Sequence, residues 1–206
     1  MTNPIIDFTS GSVDHRRKFG GGRGQGLPKA CGFKNGVTPF VVDATAGLGR
    51  DGFLLASLGA QVIMIERSEQ MFELLSDAMA RAGDIEQSSP EVVEIMARMS
   101  LLQGDAKDVL PQISRHRAPD VVVVDPMHPP RKTKALVKKE MRLIREIVGP
   151  DEDSFELMQV ALKCARNRVV LKWPQKADPM ANLRLPSHQI LGKSTRYDVF
   201  MVNLND

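Results

Sequence analysis

Apolar residues from Pro39 onward alternate between two patterns. Short β-branched runs read as strands at Phe40 to Thr45, Gln61 to Glu66, Ser100 to Gly104, Asp120 to Asp125 and Arg168 to Lys172. Between them, stretches at about 50–58, 69–82, 90–98, 106–114, 134–147 and 153–165 carry apolar residues at three- and four-residue spacing, as in Leu136, Met141, Leu143, Ile144 and Val148. Strands alternating with helices of this length are the pattern of a parallel sheet joined by crossover helices, whose apolar stripes cover the sheet. Near the end, Gln189 to Leu191 and Tyr197 to Val202 flank Gly192-Lys193-Ser194-Thr195 and read as two strands in a hairpin, making seven strands in all. Residues 1–38 differ: three consecutive glycines at Gly20 to Gly22, then Gly24 and Gly26, interrupt any apolar period, so an irregular arm is expected there, ahead of a single domain over 39–206.

Charge sharpens the contrast between arm and domain. Six Lys or Arg lie between His15 and Val42 (Arg16, Arg17, Lys18, Arg23, Lys29, Lys34) with no acid among them. A second stretch holds Arg131, Lys132, Lys134, Lys138, Lys139, Arg142 and Arg145 against Glu140 alone, and the rest of the chain is net acidic. Segregation of this kind suits a polyanionic partner, and Arg16, Arg17, Lys18 and Arg23 with the second cluster are the candidate phosphate contacts. Composition is that of a globular protein, 42% hydrophobic and 26% charged, with no apolar run near the ~20 residues a membrane-spanning helix needs. The N-terminus lacks the order of a secretory signal, so a cytoplasmic protein is expected. Cys31 and Cys164 are too few and too far apart for a metal or redox motif, and no metal is expected.

Four strand ends carry chemistry. Val41-Val42-Asp43 runs into Ala44-Thr45-Ala46-Gly47-Leu48-Gly49 and a helix starting near Arg50, a turn of small residues that lets backbone approach a ligand. Asp43 can accept from a ligand ammonium, Gly47 and Gly49 can admit the ligand, and Arg50 and Asp51 sit at the helix start. Glu66 ends the second strand, where a carboxylate can hold both ribose hydroxyls, and Asp105 follows the third, within reach of an adenine amine. Gly47 to Gly52 also matches the dinucleotide fingerprint GxGxxG, but a dehydrogenase would need a second region for substrate that this length does not supply. Val121 to Val124 then stops at Asp125-Pro126-Met127-His128-Pro129-Pro130. DPMHP resembles the [DN]PP[YF] motif of methyltransferases acting on exocyclic amines. The Asp125 carboxylate and the Pro126 carbonyl would accept from the amine's N–H groups, and His128 would stack on the base. With five parallel strands and a terminal hairpin, the layout is that of a Rossmann-like class I S-adenosylmethionine-dependent methyltransferase.

The strings HRRKFGGGRG from His15, DATAGLGRD from Asp43, Glu66-Arg67, Asp125 to Met127, ALVKKEMR from Ala135 and VGPD from Val148 together resemble the ribosomal RNA small subunit methyltransferase J family, from about Asp7 to the C-terminus. The resemblance implies methylation of the exocyclic amine of one guanine in small-subunit ribosomal RNA, using S-adenosylmethionine. It also implies binding residues at Arg50-Asp51, Glu66-Arg67, Asp105-Ala106 and Asp125. Three departures stand out: an N-terminal segment of several dozen residues usual in the family does not precede Asp7, His128 stands where an aromatic is common, and Asp105-Ala106 stands where two serines are common. Two other readings fit the same residues, an amine methyltransferase for DNA or protein and a non-enzymatic RNA-binding module. Oligomeric state is not legible.

Overall fold

The computed structural model describes residues 6–34, 36–126 and 153–202. In chain order the elements are α1 (Gly11–Phe19), a 3-10 turn (Gly22–Gly24), α2 (Gly26–Ala30), β1 (Val41–Asp43), α3 (Arg50–Ser57), β2 (Val62–Glu66), α4 (Glu69–Gly83) and α5 (Pro90–Met96). They continue with β3 (Met99–Gln103), α6 (Ala106–His116), β4 (Val121–Val124), α7 (Ser154–Cys164), β5 (Arg168–Pro174), β6 (His188–Leu191) and β7 (Thr195–Met201). All seven expected strands are present, as are the expected helices outside 134–147; that helix, His128 and the cations from Arg131 to Arg145 lie outside the described residues.

The strands form one sheet in the order β3-β2-β1-β4-β5-β7-β6. Neighbours from β3 to β5 are parallel, while β7 runs antiparallel to both β5 and β6. Parallel central strands are covered on both faces, which is why β4 reads as four consecutive valines, all buried. Alternate residues divide between two cores, as strand geometry requires. Val41, Val121, Val123 and Val170 join the core under α3, α4 and α5, and Val42, Val122, Val124 and Val169 join the one under α6 and α7.

The first 38 residues depart from the irregular arm. Residues 11–19 and 26–30 are helical, and Ile6, Phe8, Leu27, Ala30, Cys31 and Phe33 are buried in the first core. Phe8 packs on Phe53 of α3 with ring centroids 5.0 Å apart. Gly26 sits against the Tyr197 ring of β7, where a Cβ would come within 2.6 Å of it. This region has too little apolar periodicity to announce its helices, and they are held by packing onto the domain instead.

Candidate active site

Parallel order brings the carboxyl ends of β1, β2, β3, β4 and β5 to one edge of the sheet, where open α/β folds bind ligands. A cleft of about 280 Å³ opens there, lined by Asp43 to Leu48, Arg50, Asp51, Glu66, Arg67, Gly104 to Ala106, Asp125, Pro126 and Lys172. The α7 start contributes Asp153, Ser154 and Leu157, and α1 contributes Arg16.

The floor is the β1–α3 turn. Asp43 is 3% exposed and accepts from the Thr45 N–H at 3.1 Å. Burial, and next the charge of Asp51, push its carboxyl up to about 7. Gly47 adopts φ +52° and gives its N–H to Glu66 Oε2 at 2.9 Å, while Glu66 Oε1 accepts from the Ser68 N–H at 2.9 Å. The backbone N–H groups of Gly47, Ser68 and Arg67 thus hold the Glu66 carboxylate in place at the lining of the cleft. Burial raises the Glu66 pKa. Gly49, expected at the ligand, does not line the cleft: at φ +66° it turns inward, and a Cβ there would meet Leu75 at 2.8 Å and Phe8 at 3.1 Å. Its glycine serves the helix start and core packing rather than ligand approach.

The wall on the β4 and β5 side is an ion network. Val124 pairs with Leu171 in the parallel register, so the next residue on each strand, Asp125 and Lys172, meet. Lys172 Nζ lies 2.6 Å from Asp125 Oδ2 and 2.7 Å from Asp51 Oδ2. Asp51 Oδ1 takes a second cation, Arg16 Nη1, at 2.6 Å. The Asp125 backbone N–H donates to Thr45 Oγ1 at 2.7 Å, tying the β4 end to the β1 turn. Burial opposes charge on Asp51, yet Lys172 and Arg16 hold its carboxyl below the usual range. Burial likewise works against the Lys172 charge, and Asp51 and Asp125 outweigh it, so its pKa rises.

At the opposite end, Asp105 caps α6, its Oδ1 accepting from the Lys107 N–H at 2.8 Å, and Ala106 is buried against the cleft. Asp153 accepts from Arg67 Nη1 at 3.1 Å and also bonds the Lys107 ammonium. Sequence reasoning missed Lys172, Thr45 and Asp153. The one available signal for Lys172 was a lone lysine closing the apolar run Val169-Val170-Leu171.

The N-terminal cations are placed differently from the phosphate contacts expected of them. Arg16 reaches into the cleft, and its Nε donates to Gln25. Arg17 bonds Asp14 and Glu91 with its side chain 7% exposed. Arg23 donates to the Val37 and Leu58 carbonyls and to Thr38, and lies over the Phe33 ring. Lys18 is paired with Asp14 at 2.8 Å and half exposed. Acids absent from this stretch of sequence are supplied across the fold by Asp51 and Glu91, with Asp14 just ahead of it.

Residues 2–202 match the family model described as a putative SAM-dependent methyltransferase. The ribosomal RNA small subunit methyltransferase J of Brucella anthropi is 61% identical over 197 residues, 96% of this chain and 93% of that one. That of Agrobacterium fabrum is 59% identical over 198 residues, 96% and 92%. The chain belongs to the ribosomal RNA small subunit methyltransferase J family. Among solved structures, a SAM-dependent methyltransferase of Neisseria gonorrhoeae superposes with TM-score 0.75 at 37% identity, covering 98% of this chain and 76% of that one. An RNA methyltransferase of Salinibacter ruber bound to S-adenosyl-L-homocysteine shares the class I fold at TM-score 0.52 and 14% identity. The extra N-terminal segment associated with methyltransferase J sequences is not a feature of every relative, since the Brucella protein is matched over nearly its whole length.

S-adenosylmethionine is the cofactor of this family of methyltransferases. The cleft fits it on chemical grounds. A buried, raised-pKa Asp43 offers an acceptor to a cation, the Glu66 carboxylate lines the cleft where hydroxyls can meet it, and Gly47 leaves its Cα side open. Among the described residues there is no group of three or more His, Cys, Asp or Glu able to hold a metal ion, and no helix long and apolar enough to cross a membrane.

Proposed function

We propose that this protein transfers a methyl group from S-adenosylmethionine to the exocyclic amine of a guanine in small-subunit ribosomal RNA. The observation that carries this reading is the position of Asp125-Pro126. They lie at the lip of the same cleft as Asp43, Gly47 and Glu66, with Asp125 Oδ2 engaged by Lys172 and its backbone by Thr45. The bound cofactor supplies an electrophilic methyl on a sulfonium. Glu66 would accept from its ribose hydroxyls, Asp43 from its ammonium, and Arg50 would pair with its carboxylate. Asp105 and Ala106, which line the same cleft, would border the adenine, and Arg67, held by Asp153, would close that end.

An aryl amine is a weak nucleophile because its lone pair is delocalised into the ring. Asp125 and the Pro126 carbonyl accept its N–H bonds, return electron density to nitrogen and aim the lone pair along the methyl-transfer axis. Catalysis is then orientation and fixed electrostatics, with no covalent intermediate on the protein. Methyl transfer would leave the amine cationic, and Asp125, whose side chain lines the cleft, would accept the proton it gives up. From their place in the sequence alone, His128 is assigned to stacking on the guanine, and Arg131, Lys132, Lys134, Lys138, Lys139 and Arg142, which follow it, to the substrate phosphates.

Labelled methyl transfer to small-subunit RNA from a strain lacking this protein tests the reading, with nucleoside analysis of the product. N2-methylguanosine at one site is expected. No incorporation into any assembly state of the subunit, or label in protein or DNA instead, overturns it.

A further inference from the structure

The Lys172 side chain touches both halves of the site. Its ammonium sits between Asp51, in the first turn of α3 on the cofactor side, and Asp125, at the end of β4 on the acceptor side. The contact to Asp125 involves Oδ2. A carboxylate gripped at one oxygen loses rotational freedom about its terminal bond, so the position of the other oxygen is fixed before substrate arrives. We propose that Lys172 is a positioning residue that ties Asp125 to Asp51, so that the acceptor carboxylate is held anionic and aimed, and its geometry is set by the same residue that borders the cofactor. This rests on the reading of Asp125 as the amine acceptor.

Geometry and charge balance support it together. Three carboxylates converge on this wall: Asp43 from β1, Asp51 from α3 and Asp125 from β4. Facing them are Lys172 from β5 and Arg16 from α1, with Tyr197 of β7 and the buried Cys31 thiol after α2 close enough to feel Asp51. Arg50 of α3 and Glu66 of β2 line the same cleft. Arg16 contacts Asp51, so loss of Lys172 leaves Asp51 one cation and takes from Asp125 the ammonium at 2.6 Å. An opposite charge at such a distance lowers a carboxyl pKa by roughly one to three units, and its removal reverses that.

The test compares the protein with Lys172→Met, Lys172→Gln and Lys172→Arg. The first readout needs no substrate: carboxyl carbon NMR titration of the aspartates in the cofactor-free protein, assigned with Asp125→Asn and Asp51→Asn. In Lys172→Met the Asp125 resonance is expected to titrate about one to three pH units higher, and in Lys172→Arg close to its original midpoint. The second readout is methylation against pH. The acid limb is expected to move up by the same interval in Lys172→Met, with kcat falling about 100-fold at neutral pH and cofactor affinity changing less than about tenfold. Lys172→Gln replaces Lys172→Met if the latter does not fold, as judged by thermal unfolding. An unmoved Asp125 titration, an unmoved acid limb, or an Arg variant no better than Met overturns the proposal. If the unsubstituted protein methylates no RNA, the functional reading fails instead, and the NMR titration still decides whether Lys172 sets the state of Asp125.

Discussion

Two ion clusters lie on adjacent strands of the sheet and use similar groups to opposite ends. On β7, Arg196 and Asp198 are 5% and 3% exposed, 3.0 Å apart, and surrounded by their own chain. Arg196 donates to the carbonyls of Pro174, Gln175 and Ala177, and Asp198 accepts from Gln189. On β5, Lys172 serves Asp51 and Asp125 at the wall of the cleft, with carboxylates 13% and 39% exposed. The first cluster is sealed from solvent and ties the loop after β5 to β7, although one of its guanidinium nitrogens, Arg196 Nη2, is buried without a hydrogen-bond partner among the described residues. The second lines the cleft. Charge alone does not mark a functional site; the difference is whether the cluster is sealed inside the protein or faces a cleft.

Breaking the closed cluster is expected to have the largest effect. Arg196→Met strands a buried carboxylate and three carbonyls and should lower unfolding stability by about 3–5 kcal/mol in denaturant titration, while the folded fraction keeps its cofactor affinity. Equal loss of affinity would show that the two clusters are one unit. In the open cluster, Asp125→Asn keeps shape and loses charge, so kcat for RNA methylation should fall about 100- to 1000-fold with stability nearly unchanged. A strong loss of stability there would make Asp125 a structural residue like Asp198.

Asp43 gives a smaller, pH-dependent effect. Its folded value of about 7 exceeds the ordinary 3.8, so the folded protein holds a proton on it between those values. Stability from this group is therefore fully present below pH about 4 and is lost as pH rises through about 7. A cationic ligand expels that proton, so cofactor affinity should fall up to tenfold per pH unit below 7. Calorimetry in buffers of different ionisation enthalpy should find close to one proton released per cofactor bound at pH 6, and none for Asp43→Asn. Arg16→Gln should be mildest. Its side chain is 35% exposed and Asp51 keeps Lys172, so cofactor affinity should drop no more than about fivefold, as measured by the same calorimetry.

The sheet was legible because period is a local property. Val121 to Val124, buried on both faces, and α4, with Met71, Leu75, Ala78 and Ala82 on one side, carry their environment in their spacing. Asp43, Glu66, Asp105 and Asp125 were legible as strand-end acids, which topology then gathers at one edge. What escaped depends on contacts distant in sequence. Phe8 is buried by Phe53, Arg16 is drawn to Asp51 and Lys172 meets Asp125 only because β5 lies beside β4. Gly47 and Gly49 look equivalent in the motif, and only the direction each faces separates them.

The placement of β7 between β5 and β6 has a consequence for the order in which the enzyme comes into being. Translation emits α1 and α2 first and residues 195–201 nearly 170 residues after Gly26, yet Gly26 rests on the Tyr197 ring. The early helix α2, which packs on β6 and β7, must therefore wait until the late strands are inserted. Arg16, Asp51, Asp125 and Lys172 all precede Thr195, so a nascent chain halted there already carries these four ion-pair partners of the cleft wall, and what it lacks is the strand that flanks β5 and covers α2. The last stage of synthesis therefore supplies the wall's support rather than its charges.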